Sequence, residues 1–250
     1  MSGDFAAAHT PRRRRFLIVQ TGSALPTLAR RHGDFPDWFR RGLGLARGEI
    51  ETVRVDIGER LPDPHRFLGA VITGSPAMVS DRLEWSERTA GWLRAALDAE
   101  LPLLGVCYGH QLLAHALGGR VGDHPRGREV GTVEVQRCGA EDALFGTLPP
   151  RFRAHVTHRQ SVLELPPGAV VLARSAHEPH QAVRYAPGAW GLQFHPEFST
   201  EVLRGYLQRP VEVDVNCAGD CCADRRASPA PFARALLRRF RAHALRAAVQ

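Results

Sequence analysis

Of the five cysteines in this 250-residue sequence, one lies in a setting suited to reaction. Pro102-Leu103-Leu104-Gly105-Val106-Cys107-Tyr108-Gly109-His110-Gln111-Leu112-Leu113 is an apolar run ending in Gly-x-Cys-x-Gly, and an amphipathic run follows from Gln111. The pattern reads as a buried strand, a tight turn with Cys107 at its tip, and a helix. Such an elbow presents a nucleophile at the strand's C-terminal end. Glycines flank Cys107 because neighbouring backbones crowd it. A thiol at a helix N-terminus also feels the positive end of the peptide dipoles, which favours the thiolate. Gly-x-Cys-x-Gly alone equally describes an inert buried cysteine, and a second stretch decides between the two. Trp190-Gly191-Leu192-Gln193-Phe194-His195-Pro196-Glu197-Phe198 brings an apolar run to His195, with Glu197 two residues on across a proline. A cysteine nucleophile needs a base to ionise it and an acid to protonate a leaving amine, and one histidine serves both steps. A carboxylate that orients the imidazole completes triad logic.

The elements around these stretches must carry them to one place. Phe16–Val19 reads as a first buried strand closed by Thr21-Gly22-Ser23. From Leu25 to Leu45 a helix, an interruption at His32-Gly33-Asp34 and a second helix with Trp38 and Phe39 follow. Ile50–Ile57 alternates as a second strand. Leu68–Thr73 is a third, running into Thr73-Gly74-Ser75-Pro76, a turn whose backbone N–H groups are left free to point at a ligand. Leu83–Leu97 has helical spacing, with Trp85 and Trp92 as core anchors. Helices joining strands predict an α/β fold, a mostly parallel central sheet with flanking helices. Active groups in such sheets gather beyond the carboxyl ends of the strands, which puts His195 at the rim that holds Cys107. After Gly118-Gly119 the texture changes to short β-like runs at Val130–Val135, Phe152–Val156, Val170–Ala173, Ala182–Tyr185 and Trp190–Phe194, an antiparallel extension of the same domain. Ser199–Leu207 and Pro231–Val249 read as helices. The expected organisation is a disordered leader over 1–15, one domain over 16–207, and a loop and helix over 208–250 packed on it.

Composition narrows the function classes. An apolar share of 44% with 24% charged residues is that of an ordinary soluble protein, and no run of about 18 apolar residues exists to span a membrane. Arg12–Arg15 is followed only by the short run Phe16–Val19, so neither a signal nor a transit peptide is expected, and the expected location is cytoplasmic. The net charge of +7 is carried by arginine alone and is spread along the chain, which argues against a nucleic-acid partner. An odd cysteine count without a framework fits a reducing compartment. Cys217, Cys221 and Cys222, even with His177 and His180, match no common zinc spacing, so no metal is expected.

Gly105-Val106-Cys107-Tyr108-Gly109-His110-Gln111 followed by Phe194-His195-Pro196-Glu197-Phe198 resembles the class I (triad) glutamine amidotransferase family. Within it the likeness is to the glutaminase domain of GMP synthase and its free-standing relatives, over roughly Phe16 to Leu207. The resemblance implies a flavodoxin-like fold. It implies Cys107 as nucleophile, His195 as acid/base and Glu197 as its orienting partner. It also implies an oxyanion hole from the Gly74 and Tyr108 amides, and Gln111, Ser75, His158 and Gln160 in substrate binding. The implied reaction is glutamine amide hydrolysis through a γ-glutamyl thioester, which needs no cofactor. Three departures qualify it. No Ser-Gly-Gly-x-Asp-like or Walker phosphate loop is present, so an ATP-using step falls to a separate synthetase subunit. Thr157-His158-Arg159-Gln160 stands where GMP-synthase-like sequences have Ser-His-x-Asp, so Gln160 replaces an acid. The segment around His32-Gly33-Asp34-Phe35 and Trp38 lies near the first strand's rim, where it can reshape the pocket. A γ-glutamyl peptidase, acting on γ-glutamyl compounds other than glutamine, therefore stays open, as does a non-catalytic regulatory or binding subunit.

Overall fold

The computed structural model describes residues 14–139, 141–208 and 227–249. The expected leader up to residue 13 and the cluster of Cys217, Cys221 and Cys222 lie outside the described residues. The chain runs through β1 (Arg15–Gln20), α1 (Pro26–His32), α2 (Phe35–Leu43), β2 (Ile50–Arg54), β3 (Phe67–Ile72), α3 (Glu84–Asp98), β4 (Leu103–Val106) and α4 (Tyr108–Ala116). It continues through β5 (Arg120–Asp123), β6 (Glu129–Arg137), β7 (Arg151–His158), β8 (Gln160–Glu164), β9 (Val170–Arg174), β10 (Ala182–Ala186) and β11 (Ala189–Leu192), and ends with α5 (Thr200–Leu207) and α6 (Pro231–Ala247).

Nine strands form one sheet in the order β2-β1-β3-β4-β11-β10-β9-β6-β7, and β5 pairs with β8 in a small second sheet. The first five strands are parallel, and from β11 to β7 the pairing is antiparallel. Period-two alternation splits the core into two layers. Phe16 and Ile18 of β1 join Phe35, Trp38, Phe39 and Leu43 of α2 and Leu236, Leu237 and Phe240 of α6. Leu17 and Val19 face the other way, onto Leu93 of α3 and Leu112 and Leu113 of α4. Burying both faces explains why the parallel strands are continuous apolar runs. Among the described residues no helix is long and apolar enough to cross a membrane.

Four sequence-based expectations shift. The second strand stops at Arg54, because Val55–Ile57 turns into a 3-10 helix closed by Gly58 at φ 90°. Trp85 and Trp92 are half-buried rather than core anchors; α3 packs through Ala90, Leu93 and Ala96, and the Trp92 indole N–H donates to the Pro62 carbonyl at 2.7 Å. The helix after the elbow begins at Tyr108, not Gln111. The last strand ends at Leu192, before His195. There Cys107 N–H donates to the Leu192 carbonyl at 2.7 Å, and the chain leaves the sheet.

Candidate active site

Three neighbouring parallel strands deliver the site. In β3, β4 and β11, Ile72 pairs with Gly105 and Gly105 with Gly191, so the residues just beyond their carboxyl ends share one rim. Gly74 follows β3, Cys107 follows β4 and His195 follows β11. A Cβ placed on Gly74 would lie 3.1 Å from His195 Cε1 and 3.8 Å from Cys107 Cβ. His195 is fixed from outside the parallel sheet: its N–H donates to the His155 carbonyl of β7 at 2.7 Å.

The elbow is strained and closely packed. Cys107 has φ 51° and ψ −103°, a left-handed conformation that costs a non-glycine residue about 1–3 kcal/mol and persists only where its surroundings enforce it. Those surroundings are backbone. A Cβ on Gly105 would meet the Gly109 carbonyl oxygen at 2.4 Å, and one on Gly109 would meet that of Ile72 at 2.4 Å. Both glycines are there for space. Because α4 starts at Tyr108, Cys107 is its N-cap residue and lies at the positive end of the helix dipole.

His195 and Glu197 form a buried pair, with Nδ1 to Oε1 at 2.7 Å. Phe198 stacks on the imidazole at 4.1 Å and 17°, and Tyr206 stacks on Phe198 at 5.1 Å, so the ring is held at its edge by Glu197 and on one face by Phe198. His195 Nε2 has no hydrogen-bond partner besides the Cys107 sulfur, and Glu197 Oε2 has none. Burial opposes an imidazolium here, but the Glu197 carboxylate and then the Cys107 thiolate raise the His195 pKa to about 10. Burial likewise pushes the Cys107 thiol up, but the charge of His195, and further that of His158, bring it below the ordinary thiol value. Sulfur and ring thus favour a thiolate–imidazolium pair.

A cleft of about 350 Å³ opens onto Cys107 and His195 and is lined by Ser75, Tyr108, Gln111, His158 and Gln160 among others. The expected site residues other than Gly74 and Glu197 line this one cleft. Gly74 sits beside His195 and Cys107, and Glu197 is bonded to His195, but their hydrogen bonds give them different parts. Ser75 Oγ donates to the Thr21 carbonyl at 2.6 Å and accepts from Ala77 N–H, so it shapes the turn. Gln111 Nε2 donates to the Gln160 carbonyl at 2.7 Å and to Gln193 Oε1 at 3.0 Å. That leaves Oε1, an acceptor, as the atom it can offer a ligand. The Gln160 side chain reaches away to Ser80 Oγ at 2.6 Å and Asp123 Oδ1 at 3.2 Å. The lining contains Arg128 and Arg159 and, among the described residues, no carboxylate. Phe35, which lines the cleft, comes from the segment expected near the first strand's rim. Asp34 anchors that segment, capping α2 and accepting from Ala24 N–H and Gln20 Nε2.

Sequence reasoning gave no role to Glu129, Gln193, Phe198 or Tyr206. Glu129 begins β6 and is buried against His158 at 2.9 Å, but its partner lies 29 residues away and nothing local marks it. Gln193 was open to detection, since it precedes His195 by two in an alternating run and so shares its side. Among the described residues, no cluster of three or more His, Cys, Asp or Glu has metal-binding geometry.

The profile of the family described as glutamine amidotransferase class-I matches residues 37–209. A glutamine-hydrolyzing GMP synthase of Thermomicrobium roseum is 41% identical over 151 residues, which cover 60% of this chain and 27% of that protein. One subunit of a glutamine-hydrolyzing GMP synthase of Ignicoccus hospitalis is 39% identical over 137 residues, covering 54% of this chain and 70% of that one. The matched stretch thus spans about a quarter of the T. roseum protein and most of the I. hospitalis one. Among solved structures, a glutamine amido transferase from Methylobacillus flagellatus superposes with a TM-score of 0.70 at 26% identity, over 92% of each chain. A glutamine amidotransferase from Thermotoga maritima shares the fold, with a TM-score of 0.68 at 20% identity over 93% of this chain and 98% of that one.

Proposed function

The chain belongs to the class-I glutamine amidotransferase family, and from that premise we propose that it hydrolyses the side-chain amide of glutamine through a γ-glutamyl thioester on Cys107. The observation that carries the reading is the forced φ of Cys107 beside the Glu197-held imidazole of His195. Cys107 Sγ attacks the γ-carbonyl carbon, and the electron pair displaced onto oxygen is received by the Gly74 and Tyr108 amides. The Tyr108 amide belongs to the first turn of α4, where N–H groups have no intrahelical acceptor. Donors aimed at a developing oxyanion are typically worth ~10²–10³ in rate each. As the C–N bond breaks, His195 Nε2–H passes its proton to nitrogen and ammonia leaves. Water then gives a proton to Nε2 and its oxygen to the acyl carbon; glutamate departs and the thiolate is restored. Gln111 Oε1 accepts from the substrate, and Glu197 holds Nδ1–H throughout.

We further infer that the ammonia is consumed by a separate synthetase subunit. The I. hospitalis relative, itself one subunit of its synthase, supports this reading. A second reading, γ-glutamyl peptidase, is favoured by one feature: a cleft with two arginines, no described carboxylate, and Gln160 where GMP-synthase-like sequences have an acid. The deciding experiment incubates the protein with glutamine and with a panel of γ-glutamyl dipeptides, following ammonia, amine and glutamate. Glutamine turnover that disappears in Cys107→Ala is expected. Turnover of peptides alone moves the chain to the second reading, and no turnover without any γ-glutamyl adduct contradicts both.

A further inference from the structure

A second imidazole–carboxylate pair lies in the wall of the same cleft. His158 ends β7 and Glu129 begins β6, and the two are register partners across the antiparallel ladder, at 4% and 2% exposure. His158 Nε2 is 2.9 Å from Glu129 Oε2, and Nδ1 is 3.1 Å from the Gln160 carbonyl oxygen. Both partners are acceptors. Glu129 also receives Gln181 Nε2 at 3.0 Å and Ser175 Oγ at 3.4 Å, so both of its oxygens act as acceptors. A neutral imidazole carries one N–H and would press a nitrogen lone pair against an oxygen lone pair, in a site closed to water. Only an imidazolium donates from both nitrogens.

The contacts beyond this pair lead to the nucleophile. The Gln160 carbonyl that receives His158 Nδ1–H also receives Gln111 Nε2–H, and Gln111 sits one helical turn beyond Cys107, its N–H on the Cys107 carbonyl at 3.1 Å. We propose that His158 is a positioning residue of this reaction: an imidazolium held permanently by Glu129, which keeps Cys107 ionised and Gln111 in place without moving a proton itself. The proposal rests on the reading of Cys107 as nucleophile.

The surrounding charges agree. Burial opposes the imidazolium of His158, but Glu129 and then Glu178 and Cys107 hold its pKa above the ordinary value. Titratable and charged groups of other elements also face this region: His124 after β5, His177 and Glu178 before β10, and His110 on α4, with Arg128 and Arg159 in the cleft wall. His110 and His124 are kept neutral, at about 3 and about 4, by burial first and then by neighbouring histidines that include His158. Of these histidines, His158 is the one besides His195 whose charge lowers the Cys107 thiol.

Two readouts that do not need turnover test this. In the wild-type protein, ¹⁵N signals of the His158 ring should show both nitrogens still protonated above the pH of ~6.5 at which free histidine titrates. Alkylation of Cys107 by iodoacetamide, followed by peptide mapping, should have its pH midpoint raised by about one unit in His158→Gln, making the reaction about tenfold slower below the midpoint. Glu129→Gln, which keeps the ring, should do the same, and the double variant no more. A His158 ring that titrates as free histidine does, or a folded His158→Gln or Glu129→Gln with an unchanged midpoint, overturns the proposal. Should neither variant fold, the wild-type ring signal decides. Loss of glutamine turnover with the midpoint shift intact would count against the proposed function alone; an unchanged midpoint in a protein that turns over glutamine would count against this proposal alone.

Discussion

His195 and His158 each sit against a buried carboxylate in one cleft, 2.7 Å from Glu197 and 2.9 Å from Glu129. They differ at the other nitrogen. His195 Nε2 has no hydrogen-bond partner besides the Cys107 sulfur, and Glu197 Oε2 has none, whereas His158 Nδ1 meets a carbonyl and both oxygens of Glu129 accept hydrogen bonds. Leaving polar atoms unpaired in the interior costs about 1–3 kcal/mol each, and that cost is borne where a substrate brings the missing partner. A saturated pair is the better stabiliser, but it has no nitrogen left with which to take or give a proton. The chemistry of an imidazole is thus set by what its second nitrogen meets, more than by the carboxylate on its first.

The comparison breaks most easily at its active end. His195→Ala or Cys107→Ala should lower glutamine turnover by at least ~10⁴-fold, while His158→Gln loses about tenfold at neutral pH and recovers as pH rises and the thiol ionises. Equal losses in ammonia release would erase the distinction between the pairs. One step smaller, Glu197→Gln should cut kcat by ~10³–10⁴-fold, because an amide supports the wrong tautomer of His195. Glu129→Gln should cost about tenfold, visible in the acid limb of the pH profile.

The profile itself carries a sign that can be checked. The reactive form holds the proton on His195 and not on Cys107, so kcat/KM should rise on a limb below the ordinary thiol pKa and fall near pH 10, where His195 gives up its proton. These limbs belong to the coupled pair and not to either residue alone. Replacing His158 should move the acid limb upward.

Smaller effects fall on stability. Gly105→Ala forces a Cβ to within 2.4 Å of the Gly109 carbonyl oxygen and should cost about 1–3 kcal/mol, read as a lower melting temperature and slower Cys107 alkylation. His110 and His155 have pKa values lowered to about 3 and about 4, by burial first in both and then by nearby histidines. An unfolded chain protonates them near 6.5, so between that pH and about 4 the unfolded state binds more protons and stability falls with acidity. His158 and His195, whose pKa values are raised, are protonated in both states below 6.5 and add nothing to that slope. The melting temperature should therefore decline across this window, and less steeply in His155→Gln.

Much of this was legible in the sequence, and the limits have physical causes. The elbow is local: an apolar run, two glycines forced by backbone contacts and a helix start announce it within a dozen residues. The rim shared by Gly74, Cys107 and His195 follows from parallel strands whose carboxyl ends must align. Glu129 was not legible, because its partner comes from pairing across an antiparallel ladder whose register no local signal specifies. The small sheet of β5 and β8 escaped for a related reason, since Arg120–Asp123 alternates too weakly to declare itself. Ile50–Ile57 read as a continuous strand although Gly58 turns its last three residues out, leaving Ile57 exposed. The partners of Gln160 could not be anticipated either: Asp123 ends β5, which pairs with β8, and Ser80 lies in a short 3-10 helix after β3.

The central claim, that Cys107 carries the acyl group, is tested most directly by acid-quenching the protein during steady turnover of glutamine and mapping its peptides by mass. A γ-glutamyl group on Cys107, formed at least as fast as glutamate is released and absent from Cys107→Ala, is the expected result. Glutamate release with Cys107 unmodified, or with the acyl group on another residue, would contradict it.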